Sequence, residues 1–221
     1  MNGDAMRLAL ITTGILALAA CVQDVGEGKT KATVEQVSPD AAAAAKKANA
    51  AAEASENLRV DVANSSIRAL GAKVTATHPI DFKTFDGKLS LDDAGAPTAV
   101  AFTVKMADLE SDHPKLTEHL LNEDFFDVGT YPTSSFQSTE ITAGSETEGA
   151  THTVSGILEM HGQSKQVSFP ATFEVTEGLV KATSEFVINR QDFGIAYPGR
   201  PDDLIQDNVR MNISLQAMRK S

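Results

Sequence analysis

The chain of 221 residues carries a formal net charge of −11 at pH 7, and 42% of its residues are hydrophobic. This composition supports a packed core, in one large domain or in a domain with appendages. The acidic balance argues against nucleic acid as a partner and against direct electrostatic docking on anionic lipid, because both select basic surfaces.

The first predicted element is an export signal over residues 1–20. Arg7 precedes an apolar stretch over residues 8–20, which is too short to span a membrane and is typical of a signal peptide. The sequence Leu-Ala-Ala-Cys at positions 18–21 resembles the lipobox of bacterial lipoproteins, in which the cysteine is acylated and becomes the mature N-terminus. This resemblance implies a lipid anchor at Cys21, with ordinary cleavage after Ala20 as the alternative. Met1 and Met6 are both candidate start residues.

The lone cysteine supports the anchor interpretation. Cys21 is the only cysteine, so no disulfide forms within one molecule, and acylation accounts for a single thiol in an exported protein. In Gram-negative lipoproteins an aspartate after the acylated cysteine tends to signal inner-membrane retention, whereas this chain has Val22. By that resemblance we expect a periplasmic protein that is lipid-anchored to the outer membrane.

Residues 21–56 are predicted to be the acylated cysteine followed by a flexible, alanine-rich tether. The segment is polar and poor in large apolar residues, so it cannot bury a core of its own. Ser38, Pro39 and the alanines at 41–45 have the pattern of a capped helix start. Such a helix is marginal in isolation. A helix docked on the following domain is the alternative.

Residues 57–219 are predicted to form the folded domain. Apolar and polar residues alternate in many short segments, which gives each strand one dry and one wet face. Such segments, separated by polar turns, predict an antiparallel sandwich or a closed barrel. The predicted strands lie near 58–68, 70–78, 82–91, 97–106, 134–142, 151–161, 165–175, 179–190 and 207–218.

One short helical insert interrupts the strands. Ser111 or Asp112 can cap it, Pro114 lies in its first turn, and Leu116 and Leu120 are spaced four residues apart on one face. A single helix between strands suits a plug or lid at one end of a barrel. The candidate lid residues are Leu116, Leu120, Phe125 and Phe126, and simple core packing is the alternative for all four.

Four sequence elements carry a resemblance to a known family. They are His119-Leu120-Leu121-Asn122-Glu123-Asp124-Phe125-Phe126-Asp127-Val128 with the following Tyr131-Pro132, then Phe136-Gln137-Ser138-Thr139, then Gly156-Ile157-Leu158-Glu159-Met160-His161-Gly162, and finally Arg190-Gln191-Asp192-Phe193-Gly194-Ile195. In this order and spacing they resemble the YceI-like family. Two features depart from the family pattern: the tryptophan of the first strand is absent, and Ile157 occupies a position that is usually acidic.

The resemblance implies an extended, eight-stranded antiparallel lipocalin-like β-barrel that binds a polyisoprenoid or another amphiphilic lipid. The dry faces agree with an apolar lumen, and burial of a long apolar chain is favourable. The candidate lumen residues are Val100, Phe102, Val104, Met106, Phe169, Phe173, Phe186, Ile188, Met211 and Ile213. Arg190 and Arg200 are candidates for binding an anionic head group at the mouth. For Arg190 the alternative is an ion pair with Asp192 or Asp207.

Two rival functions remain open at the level of sequence. A barrel filled by side chains, acting through its surface as an envelope stress or interaction module, has the same binary pattern as a hollow one. An enzyme or metal protein would use His78, His119 and His161, although hydrogen-bonded histidines are the simpler interpretation. No catalytic motif or cofactor site is recognised, so we expect a non-enzymatic protein. Pairing into a homodimer is compatible with the strand pattern.

Overall fold

The structure is a computed structural model that describes residues 24–53 and 56–219, and most of these residues lie in β-strands. The strands are β1 (Thr33–Gln36), β2 (Glu56–Arg59), β3 (Ser66–Lys73), β4 (Ala76–Phe82), β5 (Phe85–Leu91), β6 (Pro97–Lys105), β7 (Leu109–Ser111), β8 (Thr133–Ala143), β9 (His152–Met160), β10 (Gln163–Val175), β11 (Leu179–Asn189), β12 (Gly199–Arg200), β13 (Asp203–Leu204) and β14 (Asn208–Met218). The α-helices are α1 (Pro39–Glu53) and α2 (Pro114–Leu121). Neither helix is long and apolar enough to cross a bilayer, within the residues described.

The strands form one curled antiparallel sheet. Its order is β2-β5-β6-β8-β9-β10-β11-β14-β3-β4-β7, and β1 pairs with β10 beside this path. The chain between β2 and β3 brings the two halves together, because β2 pairs with β5 while β3 pairs with β14. Val60, at the break, bridges to Ala217 of β14. The predicted mainly β, lipocalin-like fold is confirmed.

The strand count differs from the eight that the resemblance implied. The curled sheet holds twelve strands among the described residues. The first predicted strand, 58–68, is split because residues 62–64 form a 3-10 turn, in which the Ala63 N–H donates to the Asp61 side chain. The short strand β7 extends the sheet beside β4, and β1 pairs with β10 in the interior of the strand order. The core remains a single cluster inside the curl.

The segment predicted as a flexible tether lies against the barrel in its described part. The β10 and β11 strands pair only over Thr172–Val175 and Val180–Thr183, and beyond this they diverge. The gap is filled from the N-terminal side: β1 pairs with β10, and Ala32 N–H donates to the Val187 carbonyl (2.8 Å). The segment 24–36, which we name the strap, therefore fills the gap between β10 and β11 and forms part of the wall.

Helix α1 is also docked, as in the alternative for the tether. It packs mainly against β8. Ala41 and Ala45 are buried there, and the Gln137 side chain donates to the Ala45 carbonyl (3.4 Å). Alanine side chains let the helix approach the sheet closely, so the low apolar content of the segment is no barrier to docking. The predicted signal peptide and the predicted anchor residue Cys21 lie outside the described residues.

Candidate functional site

The middle of the barrel is filled largely by aromatic rings. Phe102 stacks on Phe136 (5.5 Å between centroids), Phe136 contacts Phe169 (5.3 Å), and Phe169 stacks on Phe186 (4.3 Å). The row leaves an inner cavity of only about 50 Å³, which is almost entirely apolar. The inner lumen is therefore apolar but narrow.

Space opens at one end of the barrel. An outer cavity of about 610 Å³ lies between α2, the segment 195–206 and the ends of β3, β4, β11 and β14. This volume falls within the range of small-molecule binding sites. Phe82, Met160, Ile188 and Met211 line both cavities, so the outer cavity adjoins the inner one at these four side chains.

The structure places most of the candidate lumen residues around the inner cavity. Those that line it are Phe102, Val104, Met106, Phe169, Phe186, Ile188, Met211 and Ile213. Val100 is buried in the core but lines neither cavity, and half-buried Phe173 packs beside His152 (5.1 Å between rings). Both are corrections: alternation assigns a side chain to the interior face, but not to a level along the barrel axis.

Sequence reasoning missed several wall residues. Ile67, Phe82, Phe136, Leu158, Met160 and Val167 line the inner cavity as well. Phe136, Leu158 and Met160 belong to the family elements, so the resemblance contained a signal for them. Met106 lines the cavity from a 3-10 turn directly after β6, rather than from the strand itself.

Helix α2 covers the outer cavity. Leu116, Leu120, Phe125 and Phe126 all line it, and all four also pack in or against the hydrophobic core, so the lid role stays a prediction beside simple core packing. A cluster of three rings packs the helix region against the segment 195–206. The Tyr197 ring contacts the rings of His119 (5.0 Å between centroids) and Phe125 (5.3 Å between centroids). The helix starts differently from the expectation, because its N-cap is His113 without a side-chain cap bond, rather than Ser111 or Asp112.

Arg190 is buried at the end of the outer cavity, where it is held by protein groups. Its guanidinium donates to Asp207 Oδ1 (2.9 Å), the Ile195 carbonyl (2.6 Å) and the Gln206 carbonyl (3.1 Å). Burial lowers the pKa of Arg190, and the Asp207 carboxylate opposes this shift. These contacts favour the ion-pair interpretation over a head-group role, because three donor directions are already used.

Arg200, unlike the buried and paired Arg190, is exposed to solvent. It lies on the hairpin of β12 and β13, lines the outer cavity, and forms no salt bridge within the described part of the chain. Lys73 also lines the cavity and is bound to Asp203. The hydrogen bond from Lys73, with others from Thr75, lowers the pKa of Asp203. Arg200 is therefore the better head-group candidate of the two predicted arginines.

The three histidines considered for a metal site each have a separate partner. His78 Nδ1 lies 3.0 Å from Asp112, His119 Nε2 lies 3.2 Å from Asp124, and His161 Nδ1 lies 3.0 Å from the Phe193 carbonyl. In the regions 24–53 and 56–219, no group of three metal-ligating side chains comes together. The hydrogen-bonded interpretation describes all three.

A curled antiparallel sheet around an apolar lumen with one open end defines the class of lipocalin-like barrels. The model of the YceI-like domain matches residues 58–217, and the chain belongs to this family. Curated relatives include the UPF0312 proteins of Pseudomonas putida strain F1, with 34% identity over 149 residues, and of Pseudomonas fluorescens strain SBW25, with 33% over 147 residues. Each alignment covers 63% of this chain and 72% of the relative.

Solved structures share the fold at lower identity. BcnA of Burkholderia cenocepacia superposes with a TM-score of 0.63 and 23% identity, covering 72% of this chain and 99% of BcnA. A polyisoprenoid binding domain from Saccharophagus degradans gives a TM-score of 0.59 and 12% identity, covering 75% of this chain and 99% of that domain. At such identities the likeness establishes the fold.

Proposed function

We propose that this protein is a membrane-tethered periplasmic binding protein that holds a polyisoprenoid or a similar amphiphilic lipid. The observation that carries the proposal is an outer cavity of about 610 Å³ that adjoins the apolar inner cavity at Phe82, Met160, Ile188 and Met211. An apolar tail would enter at the open end and run toward the ring row. The family membership and the polyisoprenoid binding of the related Saccharophagus domain support the same ligand class.

The tail would begin in the outer cavity, which already has room for it. Deeper entry requires the stacked rings of Phe102 and Phe136 to separate, because the inner cavity holds only about 50 Å³. A polar or anionic head group would stay at the rim near Arg200, where a guanidinium can bind phosphate or carboxylate oxygens. The proposed role is carriage or sequestration of the lipid between membranes.

Anchoring through Cys21 to the outer membrane is part of the proposal and rests on the lipobox resemblance. Intact-mass measurement of protein isolated from the envelope tests it: a diacylglyceryl and acyl mass on Cys21 is expected, and an unmodified chain starting at Cys21 would contradict it. Association into a homodimer stays a prediction, which the sedimentation mass of the same sample would test.

The binding step is tested by titration with a dansyl-labelled polyprenyl phosphate. We expect saturable enhancement of dansyl emission, because the probe moves from water into an apolar cavity, and competition by unlabelled polyprenol. Absence of saturation with folded protein would contradict the proposal. It would favour the second candidate, a filled barrel acting through its surface, which the narrowness of the inner lumen supports.

A further inference from the structure

Two exposed apolar side chains lie next to each other at the open end. Val74, in the turn between β3 and β4, is 55% exposed, and Leu204, on β13, is 50% exposed. The Val74 N–H donates to the Leu204 carbonyl (3.0 Å), which joins the two turns. Among the described residues, only Val62 and Met218 are also large, apolar and exposed. Val74 and Leu204, two of these four residues, therefore form one apolar patch.

The patch belongs to the rim of the outer cavity. Lys73, directly before Val74, lines the cavity, and so do Asp203 and Ile205 on either side of Leu204. The Lys73 ammonium binds Asp203, so the turn and the hairpin are also joined by an ion pair. We use "rim" for the two apolar residues together with Lys115 and Arg200, which line the cavity from α2 and β12.

The charge at this end differs from that of the whole chain. The charged residues in the cavity wall are Lys73, Lys115, Arg190, Arg200 and Asp203, which amounts to four cations and one carboxylate. Asp202, at the tip of the hairpin, adds a second carboxylate nearby. The chain as a whole has a net charge of −11. Lys73 is paired with Asp203, and buried Arg190 is paired with Asp207. Lys115 and Arg200 are the cations that can meet the anionic head groups of a bilayer.

The N-terminal chain reaches the barrel at the same end. Val25 N–H donates to the Gln206 side chain (3.2 Å), and Gln206 also lines the outer cavity. Asn208 donates to Asp24 (3.1 Å), which holds the first described residue beside the start of β14. Cys21 precedes Asp24 by three residues, a span of at most about 11 Å in extended chain. An anchor at Cys21 would therefore hold this end close to the membrane.

We propose that the rim is a bilayer-docking surface. Val74 and Leu204 enter the head-group region, the rim cations contact anionic lipids, and the outer cavity opens directly onto the membrane. A lipid then passes between bilayer and barrel without crossing water. This inference rests on the proposed function for its cargo, but the docking itself depends only on the rim and on the attachment of the strap.

The test uses the absence of tryptophan from the chain. Leu204→Trp places a single fluorophore on the rim. The control, Met218→Trp, uses a residue that is 60% exposed at the far end of β14, about 33 Å from its start at 3.3 Å per residue. Each full-length variant, isolated from the envelope, is combined with vesicles of phosphatidylcholine and phosphatidylglycerol that contain brominated phosphatidylcholine.

We expect emission of Leu204→Trp to shift to the blue and to be quenched by the brominated chains, while emission of Met218→Trp changes little. When Cys21→Ser blocks the anchor, the apparent affinity of Leu204→Trp for vesicles should fall without phosphatidylglycerol, by about fivefold for each cation that engages a head group. Equal quenching of both variants, or quenching of neither, would overturn the docking proposal. Quenching of neither would leave a protein partner as the alternative occupant of the rim.

A second variant separates docking from cargo binding. Val74→Ser with Leu204→Ser removes the apolar patch but leaves every cavity-lining side chain in place. We expect this variant to keep its co-purified lipid, measured by mass spectrometry, and to lose vesicle binding when the anchor is blocked by the Cys21→Ser change. Retained vesicle binding would contradict docking. Loss of lipid from all variants while Leu204→Trp stays quenched would contradict the proposed function only.

Discussion

The ring nitrogen Nδ1 of His161 lies 3.0 Å from the carbonyl oxygen of Phe193, and this contact joins two distant family elements. His161 and Gly162 form the two-residue turn between β9 and β10, and both have positive φ. Gly162 is required there, because a Cβ would lie 2.5 Å from the Tyr131 ring. The turn between β9 and β10 and the 3-10 turn at Arg190–Phe193 therefore meet at one junction.

Removal of the His161 side chain should loosen this junction. We expect His161→Ala to destabilise the fold by about 1–2 kcal/mol, from the lost hydrogen bond and from left-handed backbone that alanine adopts poorly. His161→Asn should cost less, since asparagine tolerates positive φ. Urea unfolding midpoints provide the measurement. Equal midpoints for wild type and His161→Ala would contradict the structural role.

Filling the outer cavity should block binding without harming the fold. Gly71 lines this cavity, and a Cβ there would meet nothing within 4 Å. We expect Gly71→Leu to reduce binding of the dansyl probe at least about tenfold while stability is kept or rises, because glycine weakens a strand. Gly178→Leu, at an equally open position in the turn between β10 and β11, is the matched control. Unchanged binding by Gly71→Leu would place the ligand elsewhere.

The aromatic row through Phe136 of β8 depends on Gly156 in the neighbouring strand β9. A Cβ on Gly156 would lie 2.4 Å from the Phe136 ring and 2.5 Å from the Gln137 carbonyl oxygen. Because a backbone atom cannot swing aside, Gly156→Ala should overpack the wall and cost about 1–3 kcal/mol. Calorimetric Tm values test this, with Gly178→Ala as the neutral control. A Tm equal to that of wild type would show that the wall yields easily.

The strap should contribute to stability as part of the barrel wall. Ala32→Pro removes the N–H that donates to the Val187 carbonyl, so we expect a loss of about 1–3 kcal/mol and faster amide exchange along β11. Ala32→Ser keeps the N–H and serves as the control at the same position. If both variants unfold at the wild-type urea concentration, the strap is not a structural part of the wall.

Stability should also depend on pH through His152. Burial lowers the pKa of His152 in the folded state, so the unfolded chain binds more protons. The contribution to stability is then complete above about pH 6.5, the ordinary histidine value, and is lost as the pH falls below it. We expect the urea midpoint of wild type to fall more between about pH 7.5 and about pH 5 than that of His152→Gln. Parallel pH profiles would exclude this contribution.

The alternation of apolar residues predicted an antiparallel β domain, and the family resemblance distinguished a barrel from a sandwich. The alternation placed Phe102, Phe169 and Phe186 on the interior face, because side chains of a strand point to opposite sides of a sheet. It could not tell that Val100 and Phe173 lie away from the cavities. Position along the barrel axis depends on strand pairing and register, and these are set between segments distant in sequence.

The strap and the outer cavity were beyond a sequence prediction for related reasons. The strap has few large apolar residues, and its place in the wall depends on backbone hydrogen bonds to Val187 and on a gap between two strands. Gly71 and Arg200 become neighbours of one cavity only when the hairpin of β12 and β13 folds against the end of β3. The local pattern of apolar and polar residues carries no information about contacts between segments that are distant in the sequence.

The most direct test of the lipid-binding account is mass spectrometry of the organic extract from the full-length protein, isolated from the bacterial envelope and freed of loosely associated membrane lipid. The account predicts one polyisoprenoid or similar amphiphile in a fixed ratio to the protein, with a clearly reduced amount from the Gly71→Leu variant. A clean extract from folded wild-type protein, or the same mixture of lipids from both proteins, would contradict it.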